Sequence, residues 1–267
     1  MSTIRVEVAQ GIATITFNRP KSLNAIQPAD YDAFSEALRE IDARDDVVVT
    51  VWQATGKWFC AGTDVHVAAP GDETTSIRQM FLNRVARAHT DVSQALYTHR
   101  KILVAALNGP VMGIAAAFLG HFDFIYTLPN AWLSVPFTFL GIITEGGSSV
   151  TFSRRMGSAK AKEVLIFGKK MDAQDLLECG FVNKIFPSQT TESFHDAVRT
   201  HLLSELDGLD PTAVLTVKKL LANAEAEAND PDAANLRESF AQAARMASGI
   251  PAERFAKIAR KEIKHKL

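Results

Sequence analysis

Ile102-Leu103-Val104-Ala105-Ala106-Leu107-Asn108-Gly109-Pro110-Val111-Met112-Gly113-Ile114-Ala115-Ala116 is the stretch on which the fold turns. Ile102 to Leu107 is a short apolar run closed by Asn-Gly-Pro, the make-up of a buried strand followed by a turn. From Met112 to Gly120 small residues dominate, which suits a helix lying close on that strand. Upstream, Ile4 to Val8 and Ile12 to Phe17 alternate on either side of Gly11, predicting a half-buried hairpin. Tyr31, Phe34, Leu38 and Ile41 keep helical spacing between Pro28 and Arg44. Val47 to Trp52 is a β-branched strand, and a long helix follows from about Thr75 to His99. Downstream, Phe124 to Tyr126 and Ala131 to Val135 read as strands. Helices dominate after Gly146, with one more strand near Phe181 to Phe186. Strand, strand, helix, repeated and followed by helices, describes an α/β core with an appended helical tail. The chain divides into a catalytic domain over 1–200 and a helical segment over 201–267.

Of the 267 residues 47% are apolar and 22% charged, so the core needs neither disulfide nor metal. A net charge of −1 gives no field that would recruit nucleic acid or an acidic membrane. The first residues carry no secretory apolar run, and nothing approaches a membrane span, so a soluble, intracellular protein is expected. Cys60 and Cys179 are then expected as reduced thiols.

No P-loop, dinucleotide fingerprint or Gly-x-Ser-x-Gly elbow occurs. The histidines at 66, 89, 99, 121, 195, 201 and 265 have no metal-ligand spacing, so no metal is expected. His121, within an apolar helix, reads as a hydrogen-bonded core residue.

Three small-residue turns follow strands. In Trp58-Phe59-Cys60-Ala61-Gly62-Thr63-Asp64-Val65, the Ala-Gly step lets a ligand approach the backbone. At Gly113-Ile114 a helix begins, where free N–H groups and the positive dipole end gather. Two such N–H groups aimed at one point would form an oxyanion hole. Taken singly, turns of this kind more often serve only to pack helix on strand. In Leu140-Gly141-Ile142-Ile143-Thr144-Glu145-Gly146-Gly147-Ser148-Ser149 a lone carboxylate follows an apolar run. Apolar walls raise a carboxylate's pKa and make it a better base near neutrality. Read alone, Glu145 is equally well placed as an acid at a helix start.

In this order the three features resemble the crotonase (enoyl-CoA hydratase/isomerase) superfamily. The likeness runs from Asn18-Arg19-Pro20 and Leu23-Asn24-Ala25 to Phe181-Val182-Asn183-Lys184-Ile185-Phe186-Pro187. Asn108-Gly109-Pro110, Leu119-Gly120-His121-Phe122-Asp123, Pro136-Phe137, Thr144-Glu145-Gly146-Gly147 and Leu165-Ile166-Phe167-Gly168-Lys169-Lys170 make it sharpest for the peroxisomal Δ3,Δ2-enoyl-CoA isomerase branch.

The resemblance implies a ββα-spiral core with a C-terminal helical segment and a homotrimer or homohexamer. It implies no separate cofactor, since coenzyme A would arrive as part of the acyl-CoA substrate, along Ala61, Gly62, Thr63, Asp64 and Val65. The N–H groups of Thr63 and Ile114 would form the oxyanion hole, and Glu145 would move a proton from C2 to C4 of a 3-enoyl-CoA. Hydratases of the superfamily carry two glutamates, and Ala117 and Phe137 stand at those places, which disfavours hydration. Trp132, Phe137, Phe139, Leu140 and the helix from Thr75 to His99 are candidates for the acyl pocket. The alternatives are another crotonase reaction on a secondary-metabolite acyl-CoA or a non-catalytic relative. RNA binding is opposed by the acidic first helix, with Asp30, Asp32, Glu36, Glu40 and Asp42. His265-Lys266-Leu267 resembles a peroxisomal address, expected to act in a eukaryote and to leave the protein cytoplasmic otherwise. Lys257, Lys261 and Lys264 are expected on one face of a last helix, facing the anionic end of coenzyme A.

Overall fold

Ile4–Ala9 (β1) and Ile12–Phe17 (β2) pair antiparallel in the computed structural model, which describes residues 3–64 and 76–265. Gln10 and Gly11 join them with φ of 53° and 75°, the left-handed pair a tight hairpin turn requires. From β2 the sheet continues in parallel through Val49–Ala54 (β3), Ile102–Leu107 (β4), Phe124–Thr127 (β6) and Lys184–Ile185 (β9). A second, smaller sheet holds Val111–Met112 (β5), Trp132–Ser134 (β7) and Met171–Asp172 (β8).

The two sheets are threaded by one recurring path. After β3 the chain reaches Cys60, which bridges Val111, and after the undescribed residues a helix follows. After β4 come β5 and helix Ile114–Phe118, and after β6 come β7 and helix Phe137–Leu140. The second and third circuits each place one strand in each sheet and then a helix, and the first substitutes the Cys60 bridge for its second strand. β4 is apolar on both faces because both faces are covered. Trp52 lies at the centre of the core, its ring 4.6–5.7 Å from those of Phe17, Phe34, Phe59 and Phe122.

Several boundaries differ from expectation. Met112 belongs to β5, where it pairs with Ser134 of β7, and the helix starts only at Ile114. Between Phe181 and Phe186 only Lys184–Ile185 forms a ladder; Phe181 and Val182 are buried off it, with Phe181 O accepting from Arg155 at 2.9 Å and Val182 N donating to Leu176 O at 3.0 Å. Helix Thr191–Leu206 crosses residue 200, where the helical tail was expected to begin.

The long helix runs over 77–97, and Phe81–Thr90 within it is wound as a π-helix. Helix Pro231–Ala247 lies against it. Met80, Val85 and Ala243 form a small buried cluster there, and Phe81 stacks on Phe240 at 4.7 Å. Asn235 donates to Thr90 O at 2.9 Å, and Thr90 bonds Ser239 at 2.8 Å.

The last helix, Ile250–Ala259, stops before Lys261, whose φ is 61°. The single face expected to carry Lys257, Lys261 and Lys264 is therefore not formed. Lys257 is paired with Glu253 at 2.7 Å. Among the described residues no helix is long and apolar enough to cross a membrane.

Candidate active site

The first turn is built by backbone bonds. Ile26 N donates to Gly62 O and Asp64 N to Ile26 O, both at 2.8 Å, while Ala61 N reaches Leu23 O at 3.0 Å. These bonds pass Thr63 by, and its N–H has no backbone partner among the described residues. Asn24, held by Arg19 N, donates to both Thr55 O and Trp58 O at 2.8 Å and so fixes the approach to the turn. The Cys60 thiol bonds Asn24 O at 3.0 Å, and burial pushes its pKa up to about 12, so it remains a neutral strut. Tyr31, buried in the first helix, Pro28–Asp42, bonds the Thr63 hydroxyl at 2.6 Å. Gln27 donates to Asp64 at 3.1 Å. Ala61, Gly62, Thr63 and Asp64 thus share one fixed turn, and Val65 lies outside the described residues.

The second turn lies against the first. Gly113 N donates to Ser134 O at 2.9 Å, and Ile114 is the first residue of its helix, so its N–H has no partner within that helix. A Cβ on Gly62, where φ is 85°, would stand 2.9 Å from Met112 O, and one on Gly113 3.8 Å from Gly62 Cα. The Thr63 and Ile114 donors are therefore carried by touching turns.

The third segment closes on the same helix. A Cβ on Gly146 would lie 3.2–3.3 Å from Ile114, Ala117 and Phe118 side chains. Beside it Glu145 is 3% exposed. Burial pushes its pKa up to about 8; the Gln242 amide bond opposes this, and the Glu238 charge adds to it. Gln242 Nε2 donates to Glu145 Oε2 at 2.6 Å. His89 Nδ1 stands 3.0 Å from the same oxygen, but off the direction a hydrogen bond needs. Burial takes the His89 pKa down to about 4, so near neutrality it places no cation beside the carboxyl. Burial likewise keeps His121 neutral, at about 4, and its Nε2–H donates to Gly146 O at 2.8 Å.

The C-terminal helices hold this segment from outside. Glu238 accepts from Gly147 N at 2.7 Å and Ser149 N at 2.9 Å, capping helix Ser148–Phe167. Gln242 Oε1 accepts from Ile143 N at 3.1 Å, and Arg245 donates to Gly141 O at 2.5 Å. Residues 238, 242 and 245 lie on one helical face, but such a polar stripe normally faces water. Only burial reveals the role of Glu238 and Gln242, and likewise of His89 on the long helix, so none of the three has a signal in the sequence.

Three expected pocket residues make contacts of their own. Trp132 meets Trp58 edge-on at 5.2 Å, Phe139 meets His265 at 4.8 Å, and Phe137 is buried in the main core. Ala117 and Phe137 bring no carboxylate, and both are fully packed.

A sequence profile of the enoyl-CoA hydratase/isomerase family matches residues 7–255. A Delta(3,5)-Delta(2,4)-dienoyl-CoA isomerase of Pyricularia oryzae is 36% identical, covering 98% of each chain. A 3,2-trans-enoyl-CoA isomerase of Saccharomyces cerevisiae is 33% identical over 93% of this chain and 91% of its own. A peroxisomal enoyl-CoA delta isomerase 3 of Mus musculus is 34% identical over 71% of this chain and 59% of its own. The crystal structure of an enoyl-CoA hydratase/isomerase from Pseudoalteromonas atlantica superposes over the whole of both chains with a TM-score of 0.84 at 24% identity.

Proposed function

Because the chain belongs to the enoyl-CoA hydratase/isomerase family, we propose that it converts 3-enoyl-CoA to 2-trans-enoyl-CoA with Glu145 as its base. The observation that carries this reading is the buried Glu145 carboxyl, whose neighbour Gly146 packs on the helix that begins at Ile114, with Ala117 and Phe137 where the resemblance puts the hydratase glutamates. The thioester oxygen binds between the N–H groups of Thr63 and Ile114, with the coenzyme A moiety along residues 61–65. Glu145 removes a proton from C2, and the resulting dienolate places its charge on that oxygen. The same carboxyl then protonates C4, so one residue acts in turn as base and acid. A raised pKa suits both steps, since the group must accept a proton readily and release it again. Activating water for addition would need a second carboxylate, which Ala117 and Phe137 do not supply.

The Pyricularia relative supports a second reading. Moving double bonds from 3,5 to 2,4 carries the proton from C2 to C6, beyond the reach expected of a single carboxyl. His89, at the Glu145 carboxyl, is the group on hand to extend that reach. Purified protein should be given 3-enoyl-CoA, 3,5-dienoyl-CoA and 2-trans-enoyl-CoA in parallel. The first is expected to react fastest and hydration of the third slowest. A faster dienoyl reaction selects the second reading, and dominant hydration removes both.

Helix Pro211–Ala228 buries none of its residues and exposes Val217, Leu220 and Leu221, which supports assembly as a trimer or hexamer. Sedimentation would show a monomer if this is wrong. For a eukaryotic source we place the protein in peroxisomes, as in the name of the mouse relative. Masking residues 265–267 should then leave it in the cytosol.

A further inference from the structure

Gln242 is completely buried, and both ends of its amide are used. Its Oε1 must face Ile143 N–H, a donor, so its NH₂ is turned toward Glu145. The helix that carries it cannot slide, because Glu238 one turn earlier grips Gly147 and Ser149, and Arg245 grips Gly141. On the carboxyl, Oε2 has Gln242 at 2.6 Å and His89 at 3.0 Å, while among the described residues no hydrogen bond reaches Oε1.

We infer that Gln242 is a positioning residue of the reaction: it ties down Oε2 of Glu145 and presents Oε1 as the single oxygen that takes up and returns the proton. This rests on the isomerase reading above. A neutral donor fits the task better than Lys or Arg. A cation would hold the carboxylate ionised and weaken it as a base. The amide instead orients the group while leaving it basic. The titratable groups around Glu145 are His89 on the long helix, Tyr31 on the first helix, Glu238 on the strap helix and His121 behind Gly146. None of these is the donor to Oε2.

The test compares wild type with Gln242→Leu and Gln242→Glu in the full chain, following isomerisation of 3-enoyl-CoA from about pH 5 to 10. In Gln242→Leu, kcat should fall about tenfold to a hundredfold while KM stays within about threefold, since orientation is lost and binding is not. The rising limb of the pH profile should move to higher pH, because the N–H that favours the carboxylate is gone. Gln242→Glu keeps an acceptor for Ile143 N–H but sets a second carboxylate against Oε2, and should move the limb further the same way. A folded variant with wild-type kcat and an unmoved limb overturns the proposal. If Gln242→Leu does not fold, Gln242→Glu decides on the same criteria. If wild type shifts no double bond at all, the isomerase reading fails. The Glu145 carboxyl carbon, identified by carbon-13 NMR against Glu145→Gln, then shows separately whether Gln242 controls its titration.

Discussion

The two halves of the candidate site are held by opposite means. The oxyanion half, residues 60–64 and 111–114, is assembled by backbone-to-backbone bonds and by the close approach of Gly62 to Gly113. The base half, residues 140–149, is held by side chains of a helix that lies 89 to 104 residues further on. In the first half the groups meant to act are backbone N–H, and side chains such as Asn24 and Tyr31 only brace the turn that carries them. In the second, buried amides and carboxylates decide the geometry, and each leaves an unpaired polar group if removed. The contrast teaches that backbone donors do not depend on the side chain of the residue that carries them, whereas a side-chain site depends on each member.

The largest effect is expected at the base itself. Glu145→Gln keeps the shape but accepts no proton, so isomerisation should fall by about a thousandfold or more, with acyl-CoA binding within a few-fold. Activity retained within about tenfold would remove Glu145 from the mechanism. The same variant should be more stable than wild type in a pH-dependent way. The Glu145 pKa rises from 4.5 to about 8 on folding, so its favourable contribution is complete below pH 4.5 and is lost as pH climbs through 8. Melting temperatures of the two proteins should therefore diverge from pH 5 to 9, with the variant higher.

Next comes the backbone half. Gly62→Ala places a Cβ 2.9 Å from Met112 O at a φ of 85°, and must push the two turns apart. A fall in kcat of about a hundredfold is expected, with the pH profile unmoved because Glu145 is untouched. A shift of the profile would show that the halves are not independent.

A smaller effect separates members of the base half. Glu238→Gln removes a neighbouring charge that raises the Glu145 pKa, so the rising limb should move to lower pH, opposite to Gln242→Leu. The change in kcat should stay within about tenfold, while the melting temperature falls through loss of an acceptor at Gly147 or Ser149. The smallest effect is expected outside both halves. Lys257→Gln breaks only an exposed pair with Glu253, and affinity for a coenzyme A ester should not change measurably. A clear loss would bring the tail back into the site.

The sequence by itself determined the features that rest on local chemistry. Alternation produced the hairpin, the apolar run of Ile102–Leu107 the central strand, and the Ala-Gly and Gly-Ile turns their places at strand ends. Glu145 stood out because a lone acid after an apolar run is conspicuous in one dimension. Tertiary structure alone decided what surrounds that acid. Phe181–Phe186 looked like a strand, yet pairs only at Lys184–Ile185, since ladder length depends on the neighbour available. His89, Glu238 and Gln242 carry no signal in one dimension, and only burial against the Glu145 segment sets them around its carboxyl and backbone. Periodicity and turn chemistry are set by a few adjacent residues. Which polar face is buried, and against what, is set only when distant segments pack.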